Sequence, residues 1–166
     1  MTDPIEGLMT IAEIAITLAG FSGLIAAIRV REEWTTQDRF RLIYILLFCF
    51  LVVICALLPI FTAAFFSDPS SAWKLSCGIY GVVNATLVVR VLWKRVKGEY
   101  VFSNPAISYP LTIVAFGVTC VALLAGAGVA VEASPSLLGL VLMWGIVAPA
   151  AFFILALQAM WSPYEQ

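Results

Sequence analysis

The sequence contains no histidine, and only 11% of its 166 residues are charged. Without histidine, the chain has no serine–histidine or cysteine–histidine pair for nucleophilic catalysis and no histidine-based metal centre. It also has no glycine-rich loop leading to a phosphate-binding lysine, and no basic face on which nucleic acid could rest. The sequence therefore predicts a protein that is not an enzyme, holds no metal or cofactor and binds no nucleic acid.

Cysteine is scarce and lacks the spacing of a metal or redox site. The four cysteines lie within apolar runs, and no two of them form a Cys-x-x-Cys motif. Free cysteine in apolar surroundings behaves as a small hydrophobic residue. We therefore interpret all four as packing residues; they are Cys49, Cys55, Cys77 and Cys120.

Polar segments long enough to fold as a soluble domain are absent as well, whereas apolar residues dominate. Hydrophobic residues make up 63% of the chain, and the mean hydropathy is +1.04. A soluble domain of this length could not bury so much apolar surface, but a lipid bilayer accepts it. We therefore predict an all-α integral membrane protein with a single transmembrane domain, residues 1–166. The five predicted spans are residues 7–28, 42–66, 73–93, 111–131 and 137–161.

The distribution of lysine and arginine predicts how the chain is oriented. Eight of the nine basic residues lie in the first and third loops or at the helix ends beside them, and only Lys74 lies elsewhere. The positive-inside rule then places the amino terminus outside and the carboxyl terminus inside. Helices predicted to start outside share a cap-then-proline beginning, at Asp3-Pro4, Asp68-Pro69 and Ser134-Pro135. The short loops favour a bacterial inner membrane.

The first apolar run, Gly7 to Ile28, contains Glu13, the one carboxylate of the chain that lies within such a run. An ionised acid at the centre of a membrane helix costs about 2.5–3.5 kcal/mol. Thr17 and Gly20 share its helical face. Two interpretations stay open: a cation or proton site on a pathway, or a carboxylate that reaches the outer interface or bonds a Tyr or Ser of another helix.

The same run has a stripe of small residues that recur at every fourth position. On a membrane helix such a stripe lets another backbone approach closely. We predict that these residues form a packing surface; they are Ala15, Ala19, Gly23 and Ala27. The fourth run has a second stripe, which consists of Ala122, Gly126 and Ala130.

The segment Ala12-Glu13-x-x-x-Thr17 resembles the first helix of the small multidrug resistance transporters, which carry a membrane glutamate there. The likeness covers six residues. The chain departs from that family in its greater length and in its five predicted spans, where the family has four. It also lacks a counterpart of the family's later motifs. We therefore do not place the chain in that family.

Three further polar residues are predicted to make contacts between helices or at the membrane surface. Asn84 lies near the middle of the third run, and we interpret it as an interhelical hydrogen-bonding residue rather than a substrate contact. Arg90 and Gln158 each lie three residues before a tryptophan, Trp93 and Trp161, so they share one depth. We expect both in the inner interface, with Arg90 able to reach a lipid phosphate or Gln158.

These patterns predict a homo-oligomeric channel or transporter for a small cation or a proton-coupled solute. Five helices with one membrane acid seldom enclose a pore, so copies of the chain would have to meet, with the first helix lining or bordering the path. The alternative is a non-transporting scaffold, assembly factor or effector subunit that binds another membrane protein. The first function requires Glu13 to face water, whereas the second allows it at a helix contact.

Overall fold

The computed structural model describes residues 4–28, 36–63, 65–66, 68–98 and 105–161. These residues form five α-helices, and each helix is long and apolar enough to cross a membrane. The all-helical architecture and the five apolar helices predicted from composition are thus confirmed. The helices are α1 (Pro4–Ile28), α2 (Thr36–Thr62), α3 (Pro69–Val96), α4 (Pro105–Ala127) and α5 (Pro135–Trp161).

The helices differ from the predicted spans mainly at their polar ends. The α2 helix begins at Thr36, directly after Thr35, which the sequence predicts as its cap because Asp38 follows three residues later. This start lies six residues before the predicted apolar span, so Arg39 and Arg41 belong to the first turns of the helix. The α4 helix also begins early and includes Pro110, which we had placed in a loop. Hydropathy marks only the part of a helix that lies in hydrocarbon, and polar turns continue beyond it. At its other end α4 stops at Ala127, so Ala130 lies in the following turn, with a φ of 63°.

The predicted start chemistry is visible at two helices. Asp68 caps α3 and accepts a hydrogen bond from the backbone N–H of Ser70, with Pro69 in the first helical position. The hydroxyl and backbone N–H of Ser70 hold the pKa of Asp68 below its usual value. At α5 the Ser134 hydroxyl accepts from the backbone N–H of Leu137, at 3.2 Å. Two other predicted caps, Asp3 and Thr35, lie outside the described residues.

The helices alternate in direction, so the beginnings of α1, α3 and α5 share one end of the bundle. Ile11 of α1 lies beside Gly139 of α5, where an added methyl group would be 3.9 Å from the Ile11 side chain. At the opposite end, Lys94 of α3 lies over the ring of Phe40 of α2, with 4.8 Å between Nζ and the ring centroid. The end of α3 is therefore next to the beginning of α2.

Basic residues gather at that second end of the bundle. Arg95 of α3 lies 4.3 Å from the ring centroid of Tyr109 in α4, which brings the beginning of α4 to the same end. Of the basic residues that the structure describes, Lys74 alone lies near the opposite end. This distribution is the one that the positive-inside rule uses, and the sidedness of the termini stays a prediction. The others are Arg39, Arg41, Arg90, Lys94, Arg95 and Lys97.

The α2 helix is central, since it packs more extensively against its neighbours α1, α3 and α5 than any other described helix does, although α5 contacts all four others. The most extensive contact is between α3 and α4. Within the described residues, α1 contacts α2 and α5 and has no contact with α3 or α4, so it lies at the edge of the bundle. Fully buried core residues come from every helix and include Ala15, Val52, Tyr80, Ala122 and Leu142.

The backbones of α3 and α4 touch at two glycines. A methyl group added at Gly126 would lie 2.5 Å from the Cα atom of Gly78. One turn further along α3, a methyl group at Gly81 would lie 2.9 Å from the side chain of Leu123 and 3.0 Å from its backbone nitrogen. Small residues at such contacts allow membrane helices to pack through their backbones. The sequence analysis identified Gly126 but neither of the α3 glycines.

We expect the two alanine substitutions at the glycine contact to differ in effect. Gly126→Ala should destabilise the protein by about 1–3 kcal/mol, because the new methyl group meets backbone atoms that cannot move aside cheaply. Gly78→Ala should be mild, since its methyl group would have its nearest neighbour, the Cα atom of Gly126, at 3.7 Å. Reversible unfolding in mixed micelles measures both, and equal losses would contradict this account of the contact.

Candidate functional site

The buried face of α1 follows a seven-residue repeat. Leu8, Ala15 and Ser22 are each seven residues apart, and each is at most 2% exposed. Ile11 and Ala12 are buried on the same side. This repeat keeps one side of α1 turned toward α2 and α5, the helices that it contacts. A four-residue repeat behaves differently, because an α-helix turns by about 40° beyond a full revolution in every four residues.

The small-residue stripe of α1 therefore does not stay on one side of the helix. Ala15 is fully buried, Ala19 is half-buried, and Gly23 and Ala27 are exposed. A methyl group added at Gly23 would have no neighbour within 4 Å. Over three steps of four residues the stripe rotates by about 120°, from the core to the outer surface. Only the first two residues of the stripe, Ala15 and Ala19, pack against other helices of the protomer.

Glu13, Thr17 and Gly20 are all exposed on the side of α1 that faces away from the bundle. Glu13 lies nine residues after the start of the helix, about 14 Å along its axis. Thr17 does not bond the Glu13 carboxylate, since its hydroxyl donates to the backbone carbonyl of Glu13 at 2.8 Å. An added methyl group at Gly20 would have no neighbour within 4 Å.

These residues belong to a continuous exposed surface, which we call the α1 outer face. It also follows a seven-residue repeat, because Glu6, Glu13, Gly20 and Ala27 lie on one line along the helix. No helix in the described part of the chain covers this surface. The α1 outer face consists of Glu6, Met9, Glu13, Ile16, Thr17, Gly20, Leu24 and Ala27.

A second polar site joins α3 and α4 inside the bundle. Asn84 is fully buried, and its side-chain amide donates to the hydroxyl of Thr119 at 2.8 Å. The Thr119 hydroxyl donates in turn to the backbone carbonyl of Ala115 at 2.6 Å. Sequence reasoning selected Asn84 but missed Thr119. The signal that could have identified Thr119 is a hydroxyl in the middle of an apolar run at the depth of Asn84. Nothing in the sequence, however, identifies α4 as the neighbour of α3.

Arg90 lies on the outer surface of α3, at the basic end of the bundle. It lines an open crevice of about 430 Å³ together with Lys94 and Lys97, which lie four and seven residues further along the same face. Lys97 also lies 5.5 Å from the ring centroid of Trp93. Three cations beside a tryptophan suit an anionic lipid headgroup at the membrane surface. The side chain of Gln158, which we had expected near Arg90, lies outside the described residues.

None of the family models, curated proteins and solved structures with which the chain was compared matches it. The likeness to small multidrug resistance transporters is thus confined to six residues of α1. In the described part of the chain, no group of three or more His, Cys, Asp or Glu residues is placed to hold a metal ion. The function must therefore be argued from the geometry of the helices.

We expect the link between α3 and α4 to depend on the Thr119 hydroxyl. Thr119→Val keeps the shape of the side chain but leaves the Asn84 amide without its acceptor, and it should cost about 0.6–2 kcal/mol of stability. Thr119→Ser should be close to wild type. Thr86→Val is the matched control, because Thr86 is exposed and its hydroxyl bonds Val82 of its own helix. Unfolding in mixed micelles would disprove the link if the two valine variants were equally stable.

Proposed function

We propose that the protein is a homo-oligomeric membrane channel or transporter for a small cation or a proton-coupled solute. In this proposal the α1 outer face forms the contact between subunits, and Glu13 borders the path. The observation that carries the proposal is the position of Glu13, which is exposed on a helix at the edge of the bundle. Each of the following arguments starts from that position.

The first argument is the cost of leaving Glu13 in lipid. An ionised acid costs about 2.5–3.5 kcal/mol at the centre of a membrane helix and less toward the ends. Intramembrane acids therefore usually face a protein neighbour or a water-filled cavity. No described helix of the same chain covers Glu13, and this supports a covering surface that comes from another subunit.

The second argument is that the α1 outer face has the features of a helix-packing surface. Its central line has a seven-residue repeat, which is the spacing of helices that pair at a shallow left-handed angle. Two of the four residues on this line, Gly20 and Ala27, are small enough for close backbone approach. Gly23, the other exposed residue of the small-residue stripe, borders the same surface.

The third argument concerns what a symmetric assembly does to Glu13. In a closed oligomer every copy presents the same surface, so the Glu13 residues of neighbouring subunits come toward one axis. Carboxylates that are brought together in a medium of low dielectric constant repel each other. A bound cation or a shared proton relieves this repulsion. For this reason a cation or a proton is the species that such a path would take.

The basic end of α3 supports a role for membrane lipid in the same assembly. Arg90, Lys94 and Lys97 project from one face of α3 at the end of the bundle that is predicted to lie inside. Anionic headgroups in the inner leaflet attract basic residues by about 1 kcal/mol each near the surface. A lipid bound there would anchor α3 at a fixed depth.

We expect Gly20→Leu to dissociate the oligomer without unfolding the protomer. Leucine fits at Gly20 in the isolated chain, because nothing lies within 4 Å of an added methyl group, and it favours the helix over glycine by up to about 1 kcal/mol. Gly117→Leu is the matched control, since Gly117 of α4 is also exposed and also has no neighbour within 4 Å. Light scattering of the purified protein should show a smaller particle for Gly20→Leu alone. An unchanged particle would mean that α1 faces lipid there.

For transport, we expect Glu13→Gln to reduce cation or proton flux into proteoliposomes, or to abolish its pH dependence, while the oligomer persists. Glutamine keeps the shape and hydrogen bonding of the side chain but cannot ionise. Glu6→Gln is the control, because Glu6 lies on the same line in the first turn of α1 and should retain flux. If flux survives Glu13→Gln, and if flux and the oligomer are both lost with Glu13→Ala, the carboxylate has a structural role. That result would favour the scaffold function.

A further inference from the structure

The α3 helix carries a line of polar side chains that face the interior of the bundle. Ser76, Tyr80 and Asn84 recur at every fourth residue, and each is 0% exposed. On an α-helix this spacing places the three groups on successive turns over about 12 Å and within an arc of about 80°. The line begins seven residues after the start of α3 and ends at the contact with Thr119 of α4.

Each of these side chains has a polar atom without a hydrogen-bond partner in the protein. These atoms are the hydroxyl oxygens of Ser76 and Tyr80 and the side-chain carbonyl oxygen of Asn84. More than nine in ten buried polar groups in proteins find a partner, either in the protein or in ordered water. One further atom of this kind among the described residues is Nε1 of Trp144 on α5. Three exceptions in succession on one helix therefore point to partners of one kind.

The chemistry of the three atoms identifies that partner. The Asn84 carbonyl oxygen can only accept a hydrogen bond, whereas the hydroxyls of Ser76 and Tyr80 both donate and accept. The Asn84 oxygen therefore requires a donor, whereas each hydroxyl can be satisfied by a donor or by an acceptor. Water does both, and buried water commonly makes two to four bonds to groups of this kind, so water molecules placed along the line can serve all three groups.

A glycine of α5 lies next to the Tyr80 hydroxyl. A methyl group at Gly145 would lie 3.1 Å from the hydroxyl oxygen of Tyr80 and 2.5 Å from the side chain of Val52. Any larger residue at Gly145 would therefore press on both side chains. Because the residue is glycine, the backbone of α5 can lie close to the hydroxyl.

We propose that Ser76, Tyr80 and Asn84 form an internal water-binding site within each protomer. The bound water molecules donate to the Asn84 carbonyl oxygen and exchange hydrogen bonds with the hydroxyls of Ser76 and Tyr80. This site is separate from the α1 outer face and does not depend on oligomer formation or on transport.

Tyr44 provides a comparison for Tyr80 within the same protein. This tyrosine is also buried, at 5% exposure, but its hydroxyl donates to the backbone carbonyl of Leu87 at 2.7 Å. Tyr44 and Tyr80 thus differ in whether the hydroxyl has a protein partner, while both are buried. Tyr109 is 57% exposed and provides a solvent-accessible reference.

Hydroxyl-radical footprinting of the full chain in lipid nanodiscs tests the site. Radicals formed from water by an X-ray pulse oxidise side chains next to bound water, even where bulk solvent cannot reach. We expect Tyr80 to be oxidised several-fold faster than Tyr44 and more slowly than Tyr109. Equal rates at Tyr80 and Tyr44 would overturn the proposal, whether both are slow in a dry interior or both are fast through general opening of the bundle.

A substitution at Ser76 tests whether the three residues of this line bind the same water molecules. Ser76→Ala removes one of the groups that hold the water and should lower the oxidation rate of Tyr80 several-fold. Unchanged rates at Tyr44 and Tyr109 would show that the bundle is still folded. A Tyr80 rate that stays at the wild-type value in this folded variant would overturn the shared site.

Discussion

The direct contact between the backbones of α3 and α4 determines how the interior of the bundle is arranged. From Gly78 against Gly126, the two helices run in opposite directions past Gly81 and Leu123, and they reach Asn84 and Thr119 two turns further on. Because the glycines set the distance between the helix axes, the Asn84 amide can reach the Thr119 hydroxyl directly. A bulkier residue at Gly126 would separate the helices and break that hydrogen bond as well.

Polar groups inside a bilayer need partners, and this chain meets that need in two ways. On α3 the buried groups bond the neighbouring helix or, in our proposal, internal water. On α1 the Glu13 side chain is exposed and faces away from the described helices, and in our proposal its partner is a neighbouring subunit. The first arrangement stabilises the protomer, whereas the second would make an isolated protomer costly in lipid.

The number and type of the helices could be predicted from the sequence, because long apolar runs have few other stable forms. Hydropathy alone did not give their ends, since turns such as those of Arg39 and Pro110 are helical without being apolar. Asp68 and Pro69 marked a helix start correctly because capping is a local interaction. The α1 stripe, by contrast, was read as one surface although the helix rotates it from Ala15 in the core to Ala27 outside. Thr119 and Gly78 could not be assigned as contacts without knowing which helices are neighbours.

The positions of the contacting helices along the chain determine the order in which they can pack during synthesis. The pairs α1–α2 and α3–α4 are neighbours in sequence and share the largest contacts, so each can form as a helical hairpin as soon as its second helix is inserted. The α5 helix is the last of the five to be synthesised, yet it packs against α1, the first, and against the central α2. Until α5 arrives, the Tyr80 hydroxyl lacks the neighbouring backbone of Gly145, and the heptad face of α1 is covered by α2 alone. Substitutions in α5 should therefore act on the final docking step, and those in α3 and α4 on an earlier one.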